Sequence, residues 1–219
     1  MKRRNFIKAG AVGVLGVTTQ AIGQSDSSVI SQLSTTGQPT PTEGEGPFYP
    51  VVAQKDKDFD LTKVNGNDAE SLGKHIFIRG GVFDTEGNPV EGATVDLWQA
   101  NAAGRYSHPH DPNPAPIDKN FQGWAIVQSG KDGGFRFKTV LPGAYPVRTG
   151  WSRPPHIHFK VSKRGYVELT TQMYFPDQPL NQPDLLLQRK SKEEQKLMIA
   201  KRSPDKPNTF YYRIIIEKV

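Results

Sequence analysis

From His75 to the C-terminus the chain is cut into short apolar segments by turn signals such as Glu86-Gly87-Asn88-Pro89 and Asp132-Gly133-Gly134. That rhythm constrains the fold more than any other feature. Glycine and asparagine supply the backbone conformations that tight turns need, and proline cannot continue a strand ladder. The segments between the turns lie near 76–83, 94–99, 122–128, 134–139, 156–162, 167–174 and 209–217. Each has the length of a strand, and the set is too finely divided for a helical fold. Short strands at this spacing predict an all-β chain, an antiparallel β-sandwich with long loops. One short helix is expected near 184–202, with the mixed-sign run from Gln188 to Lys196 as its solvated face.

Within this frame Arg153-Pro154-Pro155-His156-Ile157-His158-Phe159 stands apart. On a strand, residues i and i+2 point to one face, so His156 and His158 project together. Two neutral imidazoles on one face can share a metal ion. The same pattern also fits an ordinary solvated strand face. The two prolines restrict the backbone just before the pair. Upstream, Gly104-Arg105-Tyr106 and Pro142-Gly143-Ala144-Tyr145-Pro146 each set a tyrosine in a glycine- and proline-rich turn, where the backbone can aim it. There is no cysteine, so disulfides and thiolate metal sites are excluded and a bound metal would need nitrogen and oxygen donors. A second His-x-His, His108 and His110, sits among proline and aspartate and reads as an exposed loop rim. His75 reads as structural or exposed, Trp98 and Trp124 as core, and Tyr49 as a residue of a pocket mouth.

The N-terminus reads as a targeting segment. Arg3-Arg4-Asn5-Phe6-Ile7-Lys8 is a twin-arginine pattern followed by a mildly apolar run too short to span a bilayer as an anchor. Ala21-Ile22-Gly23 places the expected cleavage after residue 23. Residues 24–45, rich in Ser, Thr, Gln, Gly and Pro, read as a flexible linker, and 46–219 as the folded domain. The expectation is an exported protein, periplasmic or secreted, with no stable membrane anchor after cleavage. Removing Lys2, Arg3, Arg4 and Lys8 takes the formal net charge from +6 to +2, which gives no reason to expect a nucleic-acid partner.

A set of motifs carries a resemblance. Gly46-Pro47-Phe48-Tyr49, Asp96-Leu97-Trp98-Gln99-Ala100-Asn101, the two tyrosine turns, the Arg153–Phe159 stretch and Thr171-Gln172-Met173-Tyr174-Phe175 occur in one order. In that order they resemble the intradiol ring-cleavage dioxygenases, above all those of the protocatechuate 3,4-dioxygenase β-subunit type. The resemblance implies a non-haem Fe(III) ion held by Tyr106, Tyr145, His156 and His158. It implies a catechol-type aromatic diol and O2 as substrates, and a cis,cis-muconate-type dicarboxylate as product. Tyr145 would be the ligand that yields to the substrate and takes up a proton. Arg153 would stand beside the substrate ring and Gln172 would line the pocket. Read without the family, Arg153 is a surface salt bridge and Gln172 an ordinary strand hydrogen bond. All the implied ligands lie in this one chain, so an oligomer would be a homo-oligomer. Val147 departs from the Trp usual in protocatechuate enzymes, which leaves protocatechuate, catechol, hydroxyquinol and larger polyphenols all open. The segment from Gly80 to Val95 resembles a hairpin of prealbumin-like binding modules. That keeps two alternatives in view: an exported non-catalytic binding module, and a zinc or copper enzyme using His156 and His158.

Overall fold

A computed structural model describes residues 30–54 and 56–219; the twin-arginine segment and residues 24–29 lie outside the described residues. The strands are β1 (His75–Asp84), β2 (Thr94–Trp98), β3 (Trp124–Gln128), β4 (Gly134–Val140), β5 (Tyr145–Arg148), β6 (Trp151–Arg153), β7 (His156–Ser162), β8 (Leu169–Tyr174), β9 (Lys201–Arg202) and β10 (Thr209–Ile216). One four-stranded sheet has the order β4-β1-β10-β9 and the other β3-β2-β7-β8, while β5 and β6 form a separate hairpin. The architecture is the all-β sandwich that the turn rhythm predicts. One pairing departs from the antiparallel expectation: β1 and β10 run parallel, Phe77 beside Thr209 through Asp84 beside Ile216. A parallel neighbour needs a long crossover, and the rest of the chain supplies it.

Strand alternation builds the core. Ile76 and Ile78 of β1, Phe135 and Phe137 of β4, Val95 and Leu97 of β2, and Ile157, Phe159 and Val161 of β7 all enter one buried cluster between the sheets. Phe159 packs against Phe135, Phe137 and Tyr212 across it, with ring centroids 5.5 to 6.2 Å apart. Because residues alternate, His156 and His158 face the other way, onto the outer surface of the second sheet. Trp98 pairs with His158 across β2–β7, and Gln172 pairs with it across β7–β8. An outer sheet face is ordinarily solvated. Here Trp98, His156, His158, Gln172 and Tyr174 are all buried, because the loops and the β5–β6 hairpin cover them.

Three expectations need correction. The described part of the presumed flexible linker, residues 30–45, is fastened to the sandwich. Thr40 N–H donates to Ile215 O, Gly37 N–H to Thr85 O, Glu43 N–H to Thr170 O, and Thr171 Oγ1 to Pro41 O. A polar segment can be ordered by its backbone groups alone, which composition does not reveal. The helix is shorter than 184–202: a 3-10 turn at Leu187–Arg189 and an α-helix at Lys192–Met198. Ser191 caps that helix, and Ser191 and Glu194 form a reciprocal capping box. The segment from Gly80 to Val95 does not stay in one sheet. It closes a tight turn, bridged at Phe83 and Pro89, and then crosses to the second sheet as β2.

That turn is organised by Asp84, which is 1% exposed. Its carboxylate accepts from the backbone N–H groups of Glu86 and Asn88, the Asn88 side chain and the Lys218 ammonium. Burial alone would raise its pKa, but the hydrogen bonds from Lys218 and Asn88 outweigh burial and push it from 3.8 down to about 2. A carboxyl depressed by folding stabilises the fold above its unfolded value and loses that contribution as pH falls through the folded one. Asp84→Ala is therefore expected to cost about 2 kcal/mol at pH 7 in urea unfolding, the scale of a buried, charge-assisted hydrogen-bond cluster. The gap to wild type should shrink between pH 4 and pH 2. A gap that stays constant down to pH 2 would show that the charge of Asp84 contributes nothing.

Candidate metal centre

Two turns bring the tyrosines together. The Asn101 side chain accepts from the N–H groups of Ala103 and Arg105 and shapes the first turn. Asp111 accepts from Tyr106 N–H at 2.7 Å and anchors the residue itself. Gly143 N–H of the second turn donates to Asn101 O. The turns touch backbone to backbone: a Cβ on Gly104 would lie 2.5 Å from Ala144 O, and one on Gly143 would lie 2.4 Å from Gly104 N. Gly104 also has φ +81, a conformation that side-chain-bearing residues rarely adopt. Glycine at both places lets Tyr106 and Tyr145 reach one point, their rings edge to face at 5.7 Å.

That point lies at the histidine pair. Tyr106 Oη is 3.4 Å from His156 Nε2 and 3.1 Å from His158 Nε2, and Tyr145 Oη is 3.5 Å from His156 Nε2. Donors bound to a small cation at about 2.1 Å stand about 3.0 to 3.4 Å apart between octahedral and tetrahedral angles. These three separations are close to the spacing of neighbouring donors in a coordination sphere. His156 Nδ1 donates to Pro154 O at 2.7 Å, which leaves its Nε2 lone pair facing the phenols. His158 is held by stacking on Trp98, centroids 4.8 Å apart and planes 12° apart. Among the described residues no group of three or more His, Cys, Asp or Glu is arranged to hold a metal; the donor atoms that meet here belong to two imidazoles and two phenols.

Electrostatics points the same way. Burial pushes the His158 imidazole down to about 3, with the Arg153 charge adding to it. Burial, then Arg153, then His158 hold His156 well below the usual range. Both imidazoles are therefore neutral and able to donate lone pairs. Burial pushes the Tyr106 phenol far up and the Tyr145 phenol up, the latter opposed by Arg153. Phenolates would not persist here without a cation, and a trivalent ion that favours hard anionic oxygen fits this donor set.

A cavity of about 690 Å³ opens beside the donors, lined by Tyr145, Arg153, His158 and Gln172 among others. Tyr145 lines it, whereas Tyr106, 3% exposed, is sealed behind Phe48 and Trp98. Arg153 is not in a surface salt bridge. It is 5% exposed, and its Nε donates to Asp184 at 3.1 Å and its Nη2 to Gln172 at 2.6 Å and to Tyr174 Oη at 3.0 Å. Gln172 thus bonds the guanidinium rather than the strand ladder.

The other sequence candidates fall elsewhere. Tyr49 does not line the cavity; it donates to Asp96 and packs edge-on against Trp98. Trp98 is fully buried, while Trp124 is half-buried and also donates to Asp96. His108 is buried against Phe48 rather than exposed, and its Nδ1 accepts from His110 N–H. His75 bonds Ser71 O, away from the centre. Sequence reasoning missed Asp184, which fixes Arg153, and Asp111, which fixes Tyr106. Each is a single acid in a loop with no diagnostic spacing.

A protein-family model described as Dioxygenase matches residues 44–217. The protocatechuate 3,4-dioxygenase beta chain of Burkholderia cepacia is 40% identical over 165 residues, which cover 72% of this chain and 70% of that protein. A catechol 1,2-dioxygenase of Acinetobacter lwoffii is 37% identical over 155 residues, covering 64% of this chain and 48% of that one; this chain spans about half the length of such relatives. Among solved structures, the dioxygenase domain of a dioxygenase carbohydrate-binding protein fusion from Streptomyces sp. SirexAA-E superposes with a TM-score of 0.63 at 26% identity, over 83% of this chain and all of that one. Sandwich, motif order and relatives together make this chain a member of the intradiol ring-cleavage dioxygenase family.

Proposed function

We propose that this protein is a non-haem Fe(III) dioxygenase that opens a catechol ring between its two hydroxyl-bearing carbons. The observation that carries this reading is that Tyr106 Oη lies 3.4 Å from His156 Nε2 and 3.1 Å from His158 Nε2, and Tyr145 Oη 3.5 Å from His156 Nε2, at the edge of a cavity. The names of the relatives, which act on protocatechuate, catechol and chlorocatechol, support the substrate class. Both atoms of O2 enter the product, one carbon–carbon bond breaks, and no external reductant is needed.

Ferric ion held by these four side chains would supply the Lewis acidity that favours the deprotonated diol and opens it to attack by O2. The remaining work falls to the chain. Tyr106 and the two imidazoles, all buried, keep their positions. Beside that ion Tyr145 would be the phenolate that a substrate in the cavity can reach, and its oxygen could accept a proton from a substrate hydroxyl. Arg153, fixed by Asp184 and Gln172, sets a permanent positive charge beside the cavity, where negative charge develops on the ring. The Pro154 carbonyl holds the His156 proton on Nδ1 and so keeps Nε2 available.

The test is metal analysis, a visible spectrum and oxygen uptake on purified protein. About one iron per chain, a red colour from tyrosinate-to-iron charge transfer and a ring-opened dicarboxylate from catechol are expected. A colourless preparation holding stoichiometric zinc would overturn the reading, and a yellow semialdehyde product would overturn the position of cleavage.

A further inference from the structure

We propose that the cavity is built for catechols bearing an extended anionic substituent, with Arg148 and Arg189 recognising the anion and Val147 setting the room for the substituent. This rests on the catechol-cleaving reading above and adds the class of substrate.

Size is the first argument. A cavity of about 690 Å³ lies in the range of ~300–1,000 Å³ that accommodates drug-sized molecules, more than one unsubstituted ring would fill. Charge is the second. Most of the charged groups lining the cavity are already matched. Arg153 pairs with Asp184, Glu43 with Lys190 at 3.5 Å, and Glu45 with Lys160. Asp111 accepts the N–H groups of Tyr106 and Asn113. Arg148 and Arg189 also line the cavity, are exposed, and have no carboxylate partner among the described residues. The surplus charge of the cavity is therefore positive.

Geometry is the third argument. Arg148 lies three residues beyond Tyr145 on β5, roughly 10 Å along an extended chain. A diol held at Tyr145 would leave its ring substituent free to run along that strand past Val147, whose side chain is open to the cavity. Arg148 lies over the ring of Trp151 at 5.9 Å. Trp151 lines the cavity too, and its buried indole N–H has no partner among the described residues. On the 3-10 turn, Leu186 and Arg189 are three apart and share a side, so an apolar contact and a cation reach the cavity together. Apolar wall, orphan indole donor and two unmatched guanidiniums are what an aryl-alkenoate tail would use.

The experiment compares 3,4-dihydroxycinnamate with its methyl ester, equal in length and different in charge, by oxygen uptake on the iron-loaded full chain. Calorimetric binding of 4-hydroxycinnamate and its methyl ester serves as a readout independent of turnover. The acid is expected to exceed the ester about fivefold in kcat/KM and in affinity at low salt, a discrimination that fades in high salt as exposed charge pairs do. Arg148→Gln and Arg189→Gln should each reduce the acid-to-ester ratio, and the double variant should bring it near one. Val147→Trp should cut kcat/KM for the cinnamate at least about tenfold more than for catechol, because added volume must displace the substituent. A wild-type ratio near one, or a ratio unchanged in the double variant, overturns the proposal. Failure to consume any catechol overturns the dioxygenase reading instead, and the calorimetric ratio still decides this one.

Discussion

His158→Ala is expected to abolish metal binding and, with it, at least about a thousandfold of the activity. Loss of a hydrogen-bonding partner behind a ligand alone costs ~10–100-fold in metal affinity, and loss of a direct donor should exceed that. Among the described residues His158 has no substitute beside the other proposed donors, Tyr106, Tyr145 and His156. The stack on Trp98 disappears with the ring, and Ala at a site 4% exposed leaves a cavity, so some stability is lost as well. His158→Gln keeps most of the volume and separates the two effects. It should unfold near the wild-type temperature yet bind little iron and lack the visible band. His75→Ala, which removes a histidine away from the centre, controls for generic loss. A His158→Ala protein with full iron content and an unchanged spectrum would mean that the metal lies elsewhere.

The histidine pair also shows how far a sequence carries. Alternation places His156 and His158 on one face and Ile157 and Phe159 on the other, and the core follows from that. Nothing in the local sequence says that loops bury the histidine face. That burial comes from segments outside the strand: the distant turn holding Tyr106 and loop holding Asp184, and the β5–β6 hairpin that holds Tyr145 and Arg153 and folds back over the strand that follows it. Strands β5, β6 and β9 escaped notice because they are two to four residues long and β5 contains Pro146, so neither length nor alternation marks them. The parallel pairing of β1 with β10 is invisible to periodicity, which gives a strand its faces but not its neighbour or direction. The helix begins at Lys192 rather than near 184: the capping box of Ser191 and Glu194 marks that start, and the residues before it form a separate 3-10 turn on which Leu187 is buried. Residues whose roles depend on spacing within one motif could be read. Residues such as Asp184 and Asp111, whose roles depend on what the fold brings to them, could not.

Arg153 joins these two groups, and its removal should have the other large effect. The guanidinium is buried and holds Asp184, Gln172 and Tyr174 at once. Arg153→Met leaves Asp184, fully buried, without its countercharge, although Leu186 N–H still bonds its other oxygen. Breaking a buried pair from one side costs about 3–5 kcal/mol. Removing a fixed charge from beside the reacting ring should lower kcat by about 10²–10³-fold. The two losses can be separated because they depend on different partners. Arg153→Met with Asp184→Leu replaces the pair by apolar side chains, which is often neutral for stability. The double variant should recover most of the unfolding free energy in urea, and its kcat should remain as low as that of Arg153→Met. Arg153→Lys keeps a charge but not the planar fork that reaches Asp184 and Gln172 together, so it should fall between. If the double variant regained activity along with stability, Arg153 would be a structural strut, and the charge beside the cavity would have no part in the reaction.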